Sequence, residues 1–491
     1  MRCSYVLFLS SLLLQFGCGQ APAEPGAVRP SSLYPLPVPF SEIAYSKSFD
    51  VDLTASHLIN RATIAISNRG SNSVVMPAVF VKGGAGLSRS SILSSIRSAG
   101  PLTDEQFALA TWSFVSQHNQ HYCSAGAPGD AFNYAVDPMR LLHGYGFTCC
   151  DQSTDILVWV WRGAGYQARA ARMAFHELPE IYYHDAWHAY DADHKVYYLA
   201  KDKTTVASVA DVIADPSLVA STADADGNDP EGTSAQWMAD QFAGATPAYD
   251  YSTSSEETTY SLRSSQTFTL RSENSTTSIF HGPSVDEPLG SDAVNSGQFD
   301  WELDFARPDW EELTDSSNGV ETLMSGTNAF LTNTGTSSGY VIYHLSSPFP
   351  VFSLVVSGMV YRQDSTATVS AYIMHDGSHW STAFPMNAEV GGPLQTTADL
   401  TSAALGQYSY FVMLQLSGSA PNAARIAAVH ITSEVQVAKT LFPKLVPGTI
   451  NHLTYQDWIP LQIVSNHRGT KSVVPDANPE THDVEVSVAI Q

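Results

Sequence analysis

One stretch of the sequence, residues 144–199, restricts the fold more than any other. From Gly144 it reads Gly-Tyr-Gly-Phe-Thr-Cys-Cys-Asp-Gln-Ser-Thr-Asp, runs on through apolar residues, and reaches Arg162-Gly163-Ala164-Gly165-Tyr166-Gln167-Ala168-Arg169. Ile156, Leu157, Val160, Trp161 and Ala164 recur at helical spacing, and Gly165 is suited to stop a helix. Thr148 and Asp151 have the spacing of a capping box, which predicts Thr148 at the N-cap and Cys150 in the first turn. Beyond the helix, residues 176–183 and 187–191 read as two strands of a hairpin joined at His184-Asp185. His176 opens the first strand and Asp191 lies on the second. This is the layout a Cys-His-Asp triad needs. The helix dipole favours a thiolate, the imidazole accepts its proton, and the aspartate holds the imidazole in the useful tautomer.

The same residues carry a resemblance. The segment resembles the transglutaminase-like core, a branch of the papain-type cysteine enzymes. Its members have a glycine-rich approach to the nucleophile, a helix ending in Arg-x-x-Gly-[Ile/Tyr]-x-x-Arg, a strand opened by the histidine, and a Trp-x-x-x-Asp strand. Arg162, Gly165, Tyr166, Arg169, His176, Trp187 and Asp191 stand at those places. The likeness covers roughly residues 103–199. It implies Cys150 as nucleophile, His176 as base and Asp191 as orienting residue. Cys149 competes for the first role; the register counted back from Gly165 and Arg162, and the Cys150-Asp151-Gln152 run, favour Cys150. Pro179 departs from the pattern. It removes one ladder donor, so that end of the histidine strand is expected at an edge or bulge. An oxyanion donor is expected upstream, with Gln117, Asn119, Gln120 and Tyr145 as candidates by type.

Singly, each of these residues has a plainer reading. A buried cysteine is usually a small hydrophobe, and a histidine beside an aspartate is usually a surface pair. Only their occurrence together in this order points to a triad. His118, His121, His143, His176, His184, His188, Asp191 and His194 form a dense set, yet no metal motif is present. No metal and no cofactor are expected. Asp224–Asp229 echoes a calcium loop but lacks its glycine and its closing glutamate, so a solvated acidic loop is expected.

The rest of the chain sets the context. It has 491 residues, 48 Asp+Glu against 24 Lys+Arg, and a formal charge of −24. That balance argues against nucleic acid as a partner. Residues 1–23 read as a signal peptide: Arg2, an apolar core, then small residues. Gly17-Cys18-Gly19 suggests lipidation of Cys18, the one membrane attachment considered; Ala21-Pro22-Ala23 suggests ordinary cleavage. Export follows from either, with a periplasmic, lipid-anchored surface or secreted destination. Cys123, Cys149 and Cys150 then remain, and in an oxidising compartment Cys123 and Cys149 can pair, leaving Cys150 free.

The expected fold class is α+β: a transglutaminase-like (papain-type) core flanked by an N-terminal β-domain and a C-terminal all-β sandwich. The divisions are a β-domain over 24–100, the core over 101–220, a β extension and linker over 221–297, and the sandwich over 298–491. Helices are expected at residues 91–96, 103–117 and 206–213, the second with a Thr103/Gln106 capping box. Residues 249–279 alternate with period two and are read as strands, and 282–296 as a linker. Short strands at 340–346, 351–360, 367–374, 408–416 and 427–437 suggest a sandwich with jelly-roll-like connections. Trp301, Trp310, Tyr372, His379 and Trp380 are candidates for a sugar-stacking surface. The resemblance implies an exported cysteine enzyme acting on an amide or peptide bond through a thioester, with hydrolysis preferred over transfer to an amine. The partner is then a protein or peptidic substrate, or a glycoconjugate. The contrasting expectation is a non-catalytic surface binding or scaffold protein that uses the same module.

Overall fold

The sharp alternation of buried and half-buried residues over much of the chain is that of strands, and strands dominate the fold. A computed structural model describes residues 43–490, apart from residues 57, 82–85, 87, 99, 124, 222–234, 252–257, 277, 282–290, 308–309, 336–337, 376, 387, 460–463, 467–468 and 472–482. The expected signal peptide with Cys18 and the expected acidic loop at 224–229 lie outside the described residues.

The chain opens with β1 (Ile43–Asp52), β2 (Ala62–Asn68) and β3 (Val74–Val81), followed by α1 (Arg89–Arg97) and α2 (Asp104–His118). Next come β4 (Gln120–His121), α3 (Pro138–Arg140), β5 (Phe147–Thr148) and α4 (Cys150–Gly163). The strands β6 (Gln167–Arg172), β7 (Glu177–Tyr183), β8 (Ala186–Asp191) and β9 (Val196–Tyr197) follow, then α5 (Val209–Ala214), α6 (Ser217–Ser221) and α7 (Ala235–Phe242). The remainder is nearly all β: β10 (Ala248–Asp250), β11 (Ser261–Leu262), β12 (Gln266–Arg271), β13 (Val294–Leu303), β14 (Ser316–Asn318), β15 (Val320–Ser325), β16 (Asn328–Asn333), β17 (Gly339–Ser346), β18 (Val351–Arg362), β19 (Thr368–Met374), β20 (Phe384–Pro385) and β21 (Leu394–Asp399). The short α8 (Thr401–Ala404) precedes β22 (Ser409–Ser417), β23 (Ala424–Ala438), β24 (Ile450–Ile459), β25 (Val464–Asn466), β26 (Gly469–Lys471) and β27 (Val484–Ile490).

The sheet around the triad residues has the order β10-β6-β7-β8-β9. Both its faces are covered. Ala168, Ile181, Tyr183 and Tyr190 pack into the cluster that holds Ile156, Val160 and Trp161 of α4 and Trp112 of α2. Ala171, Leu178, Ala189 and Tyr198 pack with Val209, Val212 and Phe242 of α5 and α7. A strand with both faces buried loses simple alternation, which is why β7 is buried at nearly every position. Pro179 pairs with Ala170 of β6, while the β7–β8 ladder begins one residue later, at Glu180 and Ala189. The residue without an N–H therefore stands just beyond that ladder.

The expected β-domain over 24–100 does not close on itself. β1 pairs with β24, β3 with β24 and β11, and β2 with β12 and β27. The expected linker over 282–296 runs into β13, whose first three residues pair with Ala438, Val437 and Gln436. In the C-terminal part the expected strands correspond to β17, β18, β19, β22 and β23. They form one five-stranded sheet, β14-β17-β22-β19-β20, and part of a larger sheet built around β13 and β23. Trp301 and Trp310 are buried there, Trp301 against Tyr343. They are core residues, which corrects their expected place on a sugar-stacking surface; Tyr372 and Trp380 are half-buried and His379 is exposed.

Candidate functional site

The site begins at the N-terminus of α4. Its N-cap is Cys149, one residue later than the cap expected at Thr148, and Cys150 is the first helical residue. The reason lies in the two side chains. Thr148 is drawn away by a hydrogen bond from Asn119, and the Cys149 N–H donates to Gln152 Oε1 at 3.2 Å. Gln152 also donates to the carbonyls of Ala125 (2.9 Å) and Ala135 (2.7 Å), so it pins the approach loop to the helix. Tyr134 donates to the Asp151 carboxylate at 2.6 Å. Gly146, at φ +71°, makes the left-handed turn into β5. A disulfide joins Cys123 to Cys149, which leaves Cys150 as the free thiol among the described residues.

The histidine and aspartate arrive from the sheet. His176 directly precedes β7, and Thr154 Oγ1 of α4 donates to the next residue's carbonyl, Glu177 O, at 3.1 Å. Asp191 ends β8, where Trp112 Nε1 of α2 donates to its carbonyl at 2.8 Å. The Asp191 carboxylate Oδ2 lies 2.7 Å from His176 Nε2 and 3.1 Å from His194 Nδ1, and its Oδ1 accepts the backbone N–H groups of Asp193 and His194. With Nε2 engaged, Nδ1 is the His176 nitrogen left for Cys150. The Cys150 Sγ, a His176 ring nitrogen and an Asp193 carboxylate oxygen lie within 4.8 Å of one another. The structure thus brings Cys150, His176 and Asp191 together.

The charges do not all favour a thiolate. Burial pushes the Cys150 thiol up, Asp193 and Asp151 push it further, and the Glu177 backbone N–H opposes them. Burial first, and then these carboxylates, oppose the lowering expected from the helix dipole and the imidazole. Burial would also raise Asp191, but His176 and His194 outweigh it and hold that carboxylate well below its usual range. Asp155, one turn along α4, is pushed up to about 7 by burial, then by Glu177 and Asp151.

The signature residues around the triad have structural duties. Arg162 donates from Nη2 to the Ala168 carbonyl at 2.9 Å, tying the end of α4 to β6. Gly165, at φ +94°, makes the turn between them. Tyr166 donates to Asp104 at 2.7 Å. Arg169 pairs with buried Glu180 at 2.8 Å and lies between the rings of Trp187 (3.9 Å) and Tyr249 (3.7 Å).

Of the oxyanion candidates, Gln117 bonds to Ser113 and Asn119 to Thr148. Tyr145 bonds to Tyr408 in the core, and Gln120 is exposed on β4. Of the histidines, His184 is exposed near Asp104. His188 is buried against the Val206 carbonyl, His118 bonds to the Phe114 carbonyl, and His143 packs between Tyr260 and Phe349. His121 and His194 do join the site: His121 Nδ1 is 2.8 Å from Asp193 Oδ1, and the His194 and His176 rings meet edge to face at 4.7 Å. Sequence reasoning missed Asp193. The signal was its place two residues beyond Asp191, directly before a histidine and a turn at Lys195.

No family model and no curated protein matches this chain. Among solved structures it is similar to TmCBM61 in complex with β-1,4-galactotriose, at 8% identity over 24% of this chain and 84% of that one, with a TM-score of 0.19. It is also similar to the carbohydrate-binding module CBM6cm-2 from Cellvibrio mixtus lichenase 5A in complex with cellotriose (10% identity, 25% and 92% covered, TM-score 0.19). A third is the xylan-binding module CBM15 (13% identity, 27% and 95% covered, TM-score 0.19). These likenesses transfer neither ligand nor activity to this chain. No helix among the described residues is long and apolar enough to cross a membrane.

Proposed function

We propose that the chain is an exported, transglutaminase-like cysteine enzyme acting on an amide or peptide bond. The reading is carried by one observation, the convergence of Cys150 at the start of α4 with the His176–Asp191 pair. Cys150 attacks the carbonyl carbon as its proton passes to His176. The α4 N-terminus supplies the Cys150 N–H to the oxyanion. His176 returns the proton to the leaving amine, giving a thioester. Water, deprotonated by His176, then releases the acid and frees the thiol. Because burial, and then the surrounding carboxylates, hold the thiol up, the sulfur needs a local proton acceptor, and Asp191 keeps His176 oriented for that task. The Cys123–Cys149 bond is consistent with an oxidising compartment.

The test is alkylation of the protein with iodoacetamide across pH 4 to 9, read by peptide mass spectrometry. Labelling of Cys150 that relies on His176 as its proton acceptor, and is lost in His176→Ala, is the expected result. Labelling confined to alkaline pH and unchanged in His176→Ala overturns the reading.

That second result would leave a non-catalytic surface binding protein, which one observation favours. It is the outward face of β17, β22 and β19, where half-buried Tyr340, Tyr372, Phe411 and His344 stand with Gln415. Tyr372 donates to Gln415 at 3.0 Å and the His344 ring stacks on Phe411 at 4.4 Å. Aromatic faces beside amide and imidazole groups suit the apolar face and hydroxyls of a sugar ring. Retention on immobilised glycans, lost in Tyr372→Ala, would support this reading, and equal retention of the variant would remove it.

A further inference from the structure

The carboxylate that the triad does not use is the most telling group in the site. Asp193 is 1% exposed. Its Oδ1 is taken by His121 Nδ1 at 2.8 Å, while its buried Oδ2 has no hydrogen-bond partner among the described residues and lies 4.0 Å from His194 Nδ1. A buried carboxylate oxygen without a donor is costly, and its presence asks for a cation. Asp193 also offers an oxygen within 4.8 Å of Cys150 Sγ and of a His176 nitrogen.

We infer that Cys150, His176 and Asp193 form a binding site for a divalent zinc-type metal ion that competes with catalysis. The donor set decides the metal class. One thiolate, one imidazole and one carboxylate is a mixed set that suits zinc, with bonds of about 2.0–2.3 Å and a fourth position left open. Magnesium and calcium prefer oxygen donors throughout. A second cluster, His176, Asp191 and His194, is also close enough, but its atoms are already hydrogen-bonded to one another, so its lone pairs are committed. In the first cluster the Cys150 sulfur, a His176 ring nitrogen and an Asp193 carboxylate oxygen lie within 4.8 Å of one another, and Asp193 keeps one buried oxygen without a hydrogen-bond partner among the described residues. His121 holds the Asp193 carboxylate and Asp191 holds the imidazole, the outer-shell support that metal ligands require. On binding, the Cys150 thiol gives its proton to solvent and its sulfur bonds the ion. Cys150 is then no longer a nucleophile and His176 no longer a base. The metal site stands on the ligand geometry alone; its role as a switch of activity rests on the triad reading.

The experiment is a cobalt(II) titration of the full chain with its disulfide intact, followed by displacement with zinc. The expected result is a thiolate-to-cobalt charge-transfer band that saturates at one ion per chain. It is absent in Cys150→Ser, and the affinity falls at least about tenfold in Asp193→Asn and in His121→Ala. No band in the unaltered chain, or equal affinity in Asp193→Asn, overturns the site. Asp193→Asn leaves Cys150 in place, so folding failure in Cys150→Ser does not decide the matter. Alkylation of the same samples in chelator separates the two readings. A band together with labelling indifferent to His176 keeps the metal site and removes the enzyme. Labelling that needs His176, with no band, keeps the triad and removes the metal.

Discussion

The segment from α2 to β9 and the sheets around it are built on different scales of the sequence. In the first, the contacts that matter are made by elements that follow one another: α4 on β6 and β7, β7 on β8, Thr154 on Glu177. In the second, Ile43 pairs with Ile459 and Ala62 with Ile490, so the strands that begin the described chain are completed by its end. Local closure costs little chain entropy and leaves a pattern in the sequence. Distant closure costs more, is repaid only once the sheet is whole, and leaves almost none. The two regions are nevertheless one packed body. Tyr145 meets Tyr408 at 2.6 Å beside buried Asp130, and Gln436 donates to the Gly144 carbonyl at 3.0 Å.

The largest test of that contrast is dissection. A fragment of residues 101–220 lacks β10, the partner of β6, and all of the strands that cover Tyr145 and Gly144. It is expected not to fold, with a coil-like circular dichroism spectrum. A cooperative thermal transition in the fragment would show that the local region stands alone and break the comparison.

Next in size is the sandwich core. Trp301→Ala removes a fully buried indole and should cost about 3–5 kcal/mol in a denaturant melt. The half-buried Trp380→Ala should cost under about 1 kcal/mol. Equal costs would undo the assignment of Trp301 to the core.

Within the local region, Arg169→Ala leaves Glu180 buried without its partner. A loss of about 3 kcal/mol is expected, and Glu180→Gln in the same chain should restore part of it. If the single change is neutral, the Arg169 signature has no structural duty.

The smallest effect is electrostatic. Asp155 binds its proton more tightly in the fold, up to about 7, than its reference value of 3.8. The folded state therefore holds more protons between those values. This contribution is fully present below pH 4 and is lost as pH rises through 7. Asp155→Asn should remove that slope and stabilise the protein above pH 7 by on the order of 1–2 kcal/mol. A parallel pair of stability–pH curves would refute it.

Much of the candidate site was legible. Helical spacing from Ile156 to Ala164 located α4, the Thr103/Gln106 box located α2, and the His184-Asp185 turn located the β7–β8 hairpin; both turn residues take positive φ. The N-cap moved by one residue because Asn119, far back in the chain order of contacts, claims Thr148. Asp193 escaped because its place just beyond Asp191 marks a turn but does not say that its carboxylate lies beside a cysteine on another element. Trp301 and Trp310 were misplaced because an aromatic residue on a strand carries no mark of which face it takes until the second sheet is known.

The sequence by itself determined the elements and the order in which Cys150, His176 and Asp191 occur, because helical and alternating periods and turn residues act over a few neighbours. Only the tertiary structure decided what surrounds them. It joined the first strands to the last, buried the indoles, and gathered Asp151, Asp191 and Asp193 about one sulfur. Charge and burial act through space, and distance through space is what folding alone sets.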